Sequence, residues 1–189
     1  STPENRRYLS GFTGSAGYLL ISEREAVLAT DFRYIEQAGR QAPDFKVERI
    51  VGRSTWFPKL ASEMALRRVA IESEHLTVAT FSTIQKTIEE SASSPRLELV
   101  ATTGIVERLR AYKDEQELKL LARAAEIADQ AMDQVSPAIE PGVTEAEVAW
   151  KLEVAMRERG AEAIAFDTIV AAGPNGALPH HRAGDKVIQ

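Results

Sequence analysis

Cysteine is absent from the 189 residues, which excludes a disulfide framework, a thiolate metal site and a thiol nucleophile. No apolar run approaches the roughly 20 residues that cross a bilayer, and no basic-then-apolar leader opens the sequence. Lys and Arg total 23 against 28 Asp and Glu, a net charge of −5, with the two signs mixed along the chain. Without a basic stripe or block, neither nucleic acid nor a membrane is an expected partner. The expected location is cytoplasmic. Familiar catalytic kits are missing too: there is no G-x-S-x-G elbow and no phosphate loop. The glycines of Gly11-Phe12-Thr13-Gly14-Ser15-Ala16-Gly17 lack the Lys-Ser/Thr ending of a P-loop and precede a strand, so they read as a tight turn.

What is present suits one large or two small globular domains: 44% hydrophobic and 27% charged residues, enough to bury a core. The opening Ser1-Thr2-Pro3-Glu4-Asn5 reads as a turn. Apolar runs at Tyr18–Ile21 and Ala26–Ala29, split by Ser22-Glu23-Arg24-Glu25, predict an antiparallel hairpin. Asp31 is placed to cap a helix carrying Tyr34, Ile35 and Ala38. Period-two alternation over Phe45–Ile50 predicts a half-buried strand. Helices are expected over Phe57–Leu66 and Thr80–Ile88, with strands at Val69–Ile71 and Leu97–Val100. The result is a mixed α/β unit over residues 1–103, three layers deep.

Residues 104–189 form the second expected unit. From Lys113 to Val135 the chain contains neither Gly nor Pro. Leu118, Leu121, Ala125, Ala128, Met132 and Val135 share one helical face, widened by Leu120, Ala124, Ile127 and Ala131. Asp129 and Asp133, without a companion histidine, read as a solvated face. After a linker at Pro137–Gly142, Thr144 and Glu147 form a capping box, Val143 and Val148 a hydrophobic staple, and Gly160 a helix stop. Two long helices and one strand offer too little sheet to cover their apolar faces. Either a partner supplies more, or the chain is part of a longer one.

The stretch Phe166–His181 carries the candidate chemistry. Thr168–Ala172 reads as a short buried strand, Gly173-Pro174-Asn175-Gly176 as a turn, and His180 and His181 follow, two of the three histidines. This is either an ordinary surface loop or a site. Adjacent residues of an extended chain point to opposite faces, so one imidazole at most enters a given pocket. Pro179 stiffens the approach, and a neutral imidazole can hydrogen-bond a carbonyl or pass a proton. His75, between Glu74 and Leu76, reads as a surface or capping residue.

Phe166-Asp167-Thr168-Ile169-Val170 followed by Gly173-x-Asn175-x-Ala177-x-Pro179-His180 resembles the entry motif of the M24 metallopeptidases, the Xaa-Pro aminopeptidases and Xaa-Pro dipeptidases, with creatinase as a relative. The likeness spans nearly the whole chain. Pro3-Glu4-Asn5-x-x-Tyr8-Leu9-Ser10-Gly11-Phe12-Thr13-Gly14-Ser15 and Asp31-x-Arg33-Tyr34-x-x-Gln37-Ala38 resemble signatures of the creatinase-type N-terminal domain. Lys113-Asp114-Glu115-x-Glu117 resembles the start of the catalytic domain.

The resemblance implies an α/β fold: a creatinase-like N-terminal domain, with a strand and a helix normally preceding Ser1, then the beginning of a pita-bread α+β domain. It implies two divalent metal ions (Mn, Co or Zn) held by two aspartates, a histidine and two glutamates, all beyond Gln189, so that this polypeptide alone builds no metal centre. His180 matches the non-ligand histidine that hydrogen-bonds substrate at the scissile bond, and Phe166 and Ile169 match residues lining the substrate pocket. His181 matches a variable position and receives no role. Arg33 is a weaker suggestion, because the N-terminal domain of this family can reach a neighbouring subunit's site. The implied partners are a peptide with proline at its second position and a second copy in a homodimer. A creatinase-like C–N hydrolase and a non-enzymatic pita-bread binding module are the competing readings.

Overall fold

The computed structural model describes residues 2–52, 55–91 and 97–189. The chain forms two compact units, Ser1–Tyr112 and Lys113–Gln189. The expected division after residue 103 stands beside this one, and the residues between them form helix α5 (Ile105–Ala111).

In the first unit, β1 (Tyr18–Ile21) and β2 (Ala26–Thr30) make the expected hairpin, with Tyr18 opposite Ala29. Helix α2 (Ile35–Gln41) carries the chain to β3 (Lys46–Arg49), which lies parallel to β2. Helix α3 (Trp56–Glu63) leads to β4 (Arg68–Glu72), and α4 (Val78–Glu90) crosses to a parallel β5 (Glu98–Thr102). The sheets run β1-β2-β3 and β4-β5. Strand β2 is central and buried on both faces, which is why it reads as a near-continuous apolar run. Alternation sends Val27 and Ala29 to a core shared with Phe57, Leu60, Ala61, Val69, Ile84, Ile88 and Leu97. Leu28 points the other way, against Phe12, Ala38 and Ala42.

Two expectations change here. The opening is a helix, α1 (Pro3–Ser10), with Thr2 as N-cap accepting the Asn5 N–H and Pro3 in the first turn, where its missing N–H costs nothing. Asp31 caps no helix. Its carboxylate accepts from the Arg33 N–H and guanidinium at 2.7–3.0 Å, and α2 starts at Ile35 without a side-chain cap.

Asn5, 1% exposed, ties three elements together. Its amide donates to Glu72 at 2.5 Å and Glu107 at 2.6 Å, and its oxygen accepts from Arg110 at 2.9 Å. The glycine-rich stretch is a structural turn, as read. The Gly14 and Gly17 carbonyls accept from the buried Arg6 guanidinium, and a Cβ on Gly14 would sit 2.2 Å from the Phe12 ring.

In the second unit, α6 (Glu115–Val135) begins with a capping box of Asp114 and Glu117, and α7 (Glu145–Glu158) with one of Thr144 and Glu147. Gly160 follows α7 at φ +97°. The helices pack through Ala131, Val135, Val148 and Ala155, with Val143, Leu152, Met156, Val170 and Ile188 around them. The seam on α6 is therefore Ile127 and Ala131, expected only to widen the stripe, together with Val135, expected on its leading face. Leu118, Leu121 and Met132, expected to lead it, are exposed.

Thr168–Ala172 is not a strand: no described segment pairs with it, and the Ala172 N–H goes to a side chain. The chain end instead runs past the start of α7. There the Lys186 and Gly184 carbonyls accept the N–H groups of Glu145 and Ala146, and Thr144 bridges Val187.

Candidate functional site

The loop carrying the histidines is organised by a residue that sequence reasoning passed over. Glu145, in the first turn of α7, is fully buried. Its Oε1 accepts the Ala172 N–H at 2.7 Å and the Asn175 side-chain amide at 2.9 Å. Its Oε2 accepts from His181 Nε2 at 2.7 Å and from the Gly184 N–H at 3.3 Å. Four donors use the acceptor sites of one carboxylate. The Ala172 N–H above all, then His181, Asn175 and Gly184, outweigh the cost of burial and hold the Glu145 carboxyl at about 2. With Oε2 so engaged, His181 carries its proton on Nε2. The Asn175 amide nitrogen, 3.3 Å from that ring nitrogen, directs its own hydrogen to Oε1.

His181, to which no role was assigned, is thus the inward imidazole, its side chain 15% exposed. His180 faces outward and is exposed, and its ring has no hydrogen-bonding partner among the described residues. Pro179 and His180 form a turn closed by the His181 N–H donating to the Leu178 carbonyl at 3.2 Å, so the two histidines part at a turn and not along an extended strand. Phe166 is 75% exposed and Ile169 50%; no hydrogen bond links either to His180 among the described residues. A 3-10 turn, Gly173–Ala177, stands between them and His180.

Arg33 lies in the first unit, paired with Asp31 at 2.7 Å and stacked 5.2 Å from the Tyr34 ring centroid. A cavity of about 550 Å³ also lies in the first unit, lined by β1 and β4. Asp129 and Asp133 are exposed. Among the described residues no cluster of three or more His, Asp or Glu side chains is arranged to hold a metal. Nor does Glu145 fit that task, since N–H donors already take up both of its oxygens. No described helix is long and apolar enough to cross a membrane.

A mixed α/β domain followed by a capped helical unit that ends in a histidine-bearing loop defines the creatinase/prolidase class. Residues 1–112 match the sequence profile of the creatinase/prolidase N-terminal domain, and residues 119–189 match metallopeptidase family M24. The chain belongs to the M24 metallopeptidase family. Among its relatives, the uncharacterized peptidase YqhT of Bacillus subtilis is 38% identical over 98% of this chain and 51% of its own length. The crystal structure of an Xaa-Pro dipeptidase from Bacillus anthracis matches with a TM-score of 0.91 at 39% identity, covering 100% of this chain and 52% of that one. An X-Pro aminopeptidase from Thermotoga maritima gives 0.87 at 35% identity, covering 100% and 52%. The chain spans about half the length of the curated relatives it matches.

Proposed function

We propose that this chain is the N-terminal part of a metal-dependent peptidase that hydrolyses the bond before proline, of the aminopeptidase P or prolidase type. One observation carries the reading. His180 is exposed and, among the described residues, without a hydrogen-bonding partner for its ring, on a loop pinned to α7, and the same short segment also exposes Phe166 and Ile169. An imidazole presented this way can donate to the carbonyl oxygen of a scissile bond and stabilise negative charge as it develops there. Phe166 and Ile169 supply apolar wall for the substrate's side chains.

Among the described residues no donor set fits a metal pair, so in this reading the two divalent ions (Mn, Co or Zn) are held by residues outside this segment. Their chemistry is activation of a water as nucleophile. The contribution of this chain's residues is confined to binding and orienting the peptide. A cytoplasmic location and a homodimer belong to the same reading.

The test is His180→Ala in a polypeptide extended to the length of its relatives, assayed on Xaa-Pro dipeptides and longer Xaa-Pro peptides. Turnover falls about 10²-fold or more, as for loss of a positioned acid/base or donor group. Near-normal turnover removes His180 from the site. Chelation abolishes activity and a divalent ion restores it; activity that survives exhaustive chelation overturns the metal-dependent reading.

A further inference from the structure

The segment from Ala172 to Gly184 is fastened to one carboxylate at four points: Ala172 and Asn175 before His180, His181 and Gly184 after it. The carboxylate does not move with the segment. Glu145 stands in the capped first turn of α7, and its own N–H is bonded to the Lys186 carbonyl. The neighbouring Ala146 N–H is bonded to the Gly184 carbonyl, so the start of the helix holds the far end of the loop twice. His180 is the residue whose direction this arrangement decides. With His181 drawn inward onto Glu145, the Pro179–His180 turn, closed by the His181 N–H on the Leu178 carbonyl at 3.2 Å, leaves His180 exposed. An exposed imidazole on an unpinned loop would sample many directions, and ordering it on substrate binding would cost conformational entropy.

Resting on the assignment of His180 to substrate contact, we propose that Glu145 is the positioning residue of this site, acting through His181 to hold His180 facing outward. Glu145 touches neither substrate nor reacting atoms. It fixes the loop before substrate arrives, and the division of labour between the two histidines follows from it.

Two variants test this. In Glu145→Gln, an amide nitrogen in place of either oxygen meets N–H donors. With the amide turned toward the Oε2 side, His181 must carry its proton on Nδ1 in order to accept, and the Gly184 N–H loses its acceptor. In the 189-residue chain, the His181 ring-nitrogen shifts report that tautomer change, and Gly184 amide exchange rises about tenfold. The α6 and α7 amides, Ala131 and Val148 among them, keep their protection. Glu145→Ala extends the loss to the Ala172 N–H; should that variant not fold, the Gln variant decides. With the amide turned toward the Oε1 side it is the Ala172 N–H that loses its acceptor and exchanges faster, so an unchanged His181 tautomer with unchanged protection at both Gly184 and Ala172 in Glu145→Gln overturns the clamp.

The catalytic arm is a double-mutant cycle in the extended polypeptide. Glu145→Gln lowers kcat about tenfold with KM within about twofold, and adds nothing once His180 is alanine, because both changes remove the same interaction. An equal further loss in the His180→Ala background shows that Glu145 does not act through His180. Full turnover in His180→Ala alone removes His180 from the site instead, and with it the positioning role, while loop exchange separately judges the clamp.

Discussion

At the scale of single residues, the difference between Glu145 and Glu147 decides how the second unit is built. Both are first-turn acids of α7, and in sequence both look like partners for the helix dipole. Glu147 closes the capping box and stays exposed; Glu145 is fully buried under four donors. Only Glu147 was legible, because a capping box is local, whereas the donors to Glu145 come from 27 to 39 residues away. The electrostatic consequence has a definite sign. The folded-state value of Glu145 is about 2, below the ordinary 4.5, so the folded state favours its ionised form. Its contribution to stability is complete above pH 4.5, and is lost as pH falls through that value toward about 2. His181 is the one titratable side chain bonded to the carboxylate among the described residues. The side-chain carboxyl carbon shift of Glu145, followed by NMR, titrates with a midpoint near 2. A midpoint at the ordinary carboxylate value would mean that the four bonds do not persist in solution.

At the scale of elements, the local signals were read well and the competing ones were not. Hairpin β1–β2, strands β3 to β5 and the Thr144–Glu147 capping box follow from alternation and from residues within one helical turn, while the equally local Asp114–Glu117 box went unread. The opening helix α1 was missed although Thr2-Pro3-Glu4 is an N-terminal signature, because the glycines after it suggested a turn. Helix α6 is the instructive case. It carries two apolar stripes, and periodicity cannot say which of them meets α7. The narrower side wins, since Ala131 is fully buried and lets the backbones approach where leucine would hold them apart. That choice is measurable. Ala131→Leu overpacks the seam and lowers stability by about 1–3 kcal/mol. Leu121→Glu, on the other stripe at a position 55% exposed, changes it by less than about 0.5 kcal/mol. Chemical denaturation of both variants distinguishes the stripes, and the reverse order of effects would place α7 on the other one. Thr168–Ala172 failed for a related reason: an apolar β-branched run marks burial, and Val170 does reach the core, but a strand also needs a neighbouring strand.

At the scale of the molecule, the two units differ in how much apolar surface they bury. The first has side chains buried on both faces of β2, among them Phe12, Leu28 and Phe57. The second relies on two alanines, two valines and Ile127, while Leu118, Leu120, Leu121, Met132, Trp150, Phe166 and Leu178 remain exposed. A fully buried large side chain stabilises by roughly 1.5–3 kcal/mol and an alanine by much less, so the second unit has the smaller reserve against opening. Sequence composition hid this, because apolar residues are plentiful in both halves and only packing shows which are covered. In the 189-residue chain, amides of Leu28 and Ala29 in β2 therefore exchange most slowly. Those of α6 and α7 open at a free energy about 3 kcal/mol lower, a rate about a hundredfold faster. Native-state hydrogen exchange resolves this residue by residue. Equal protection at Leu28 and at Ala131 would show that the small seam, with the Glu145 clamp beside it, stabilises the second unit as strongly as a full core stabilises the first.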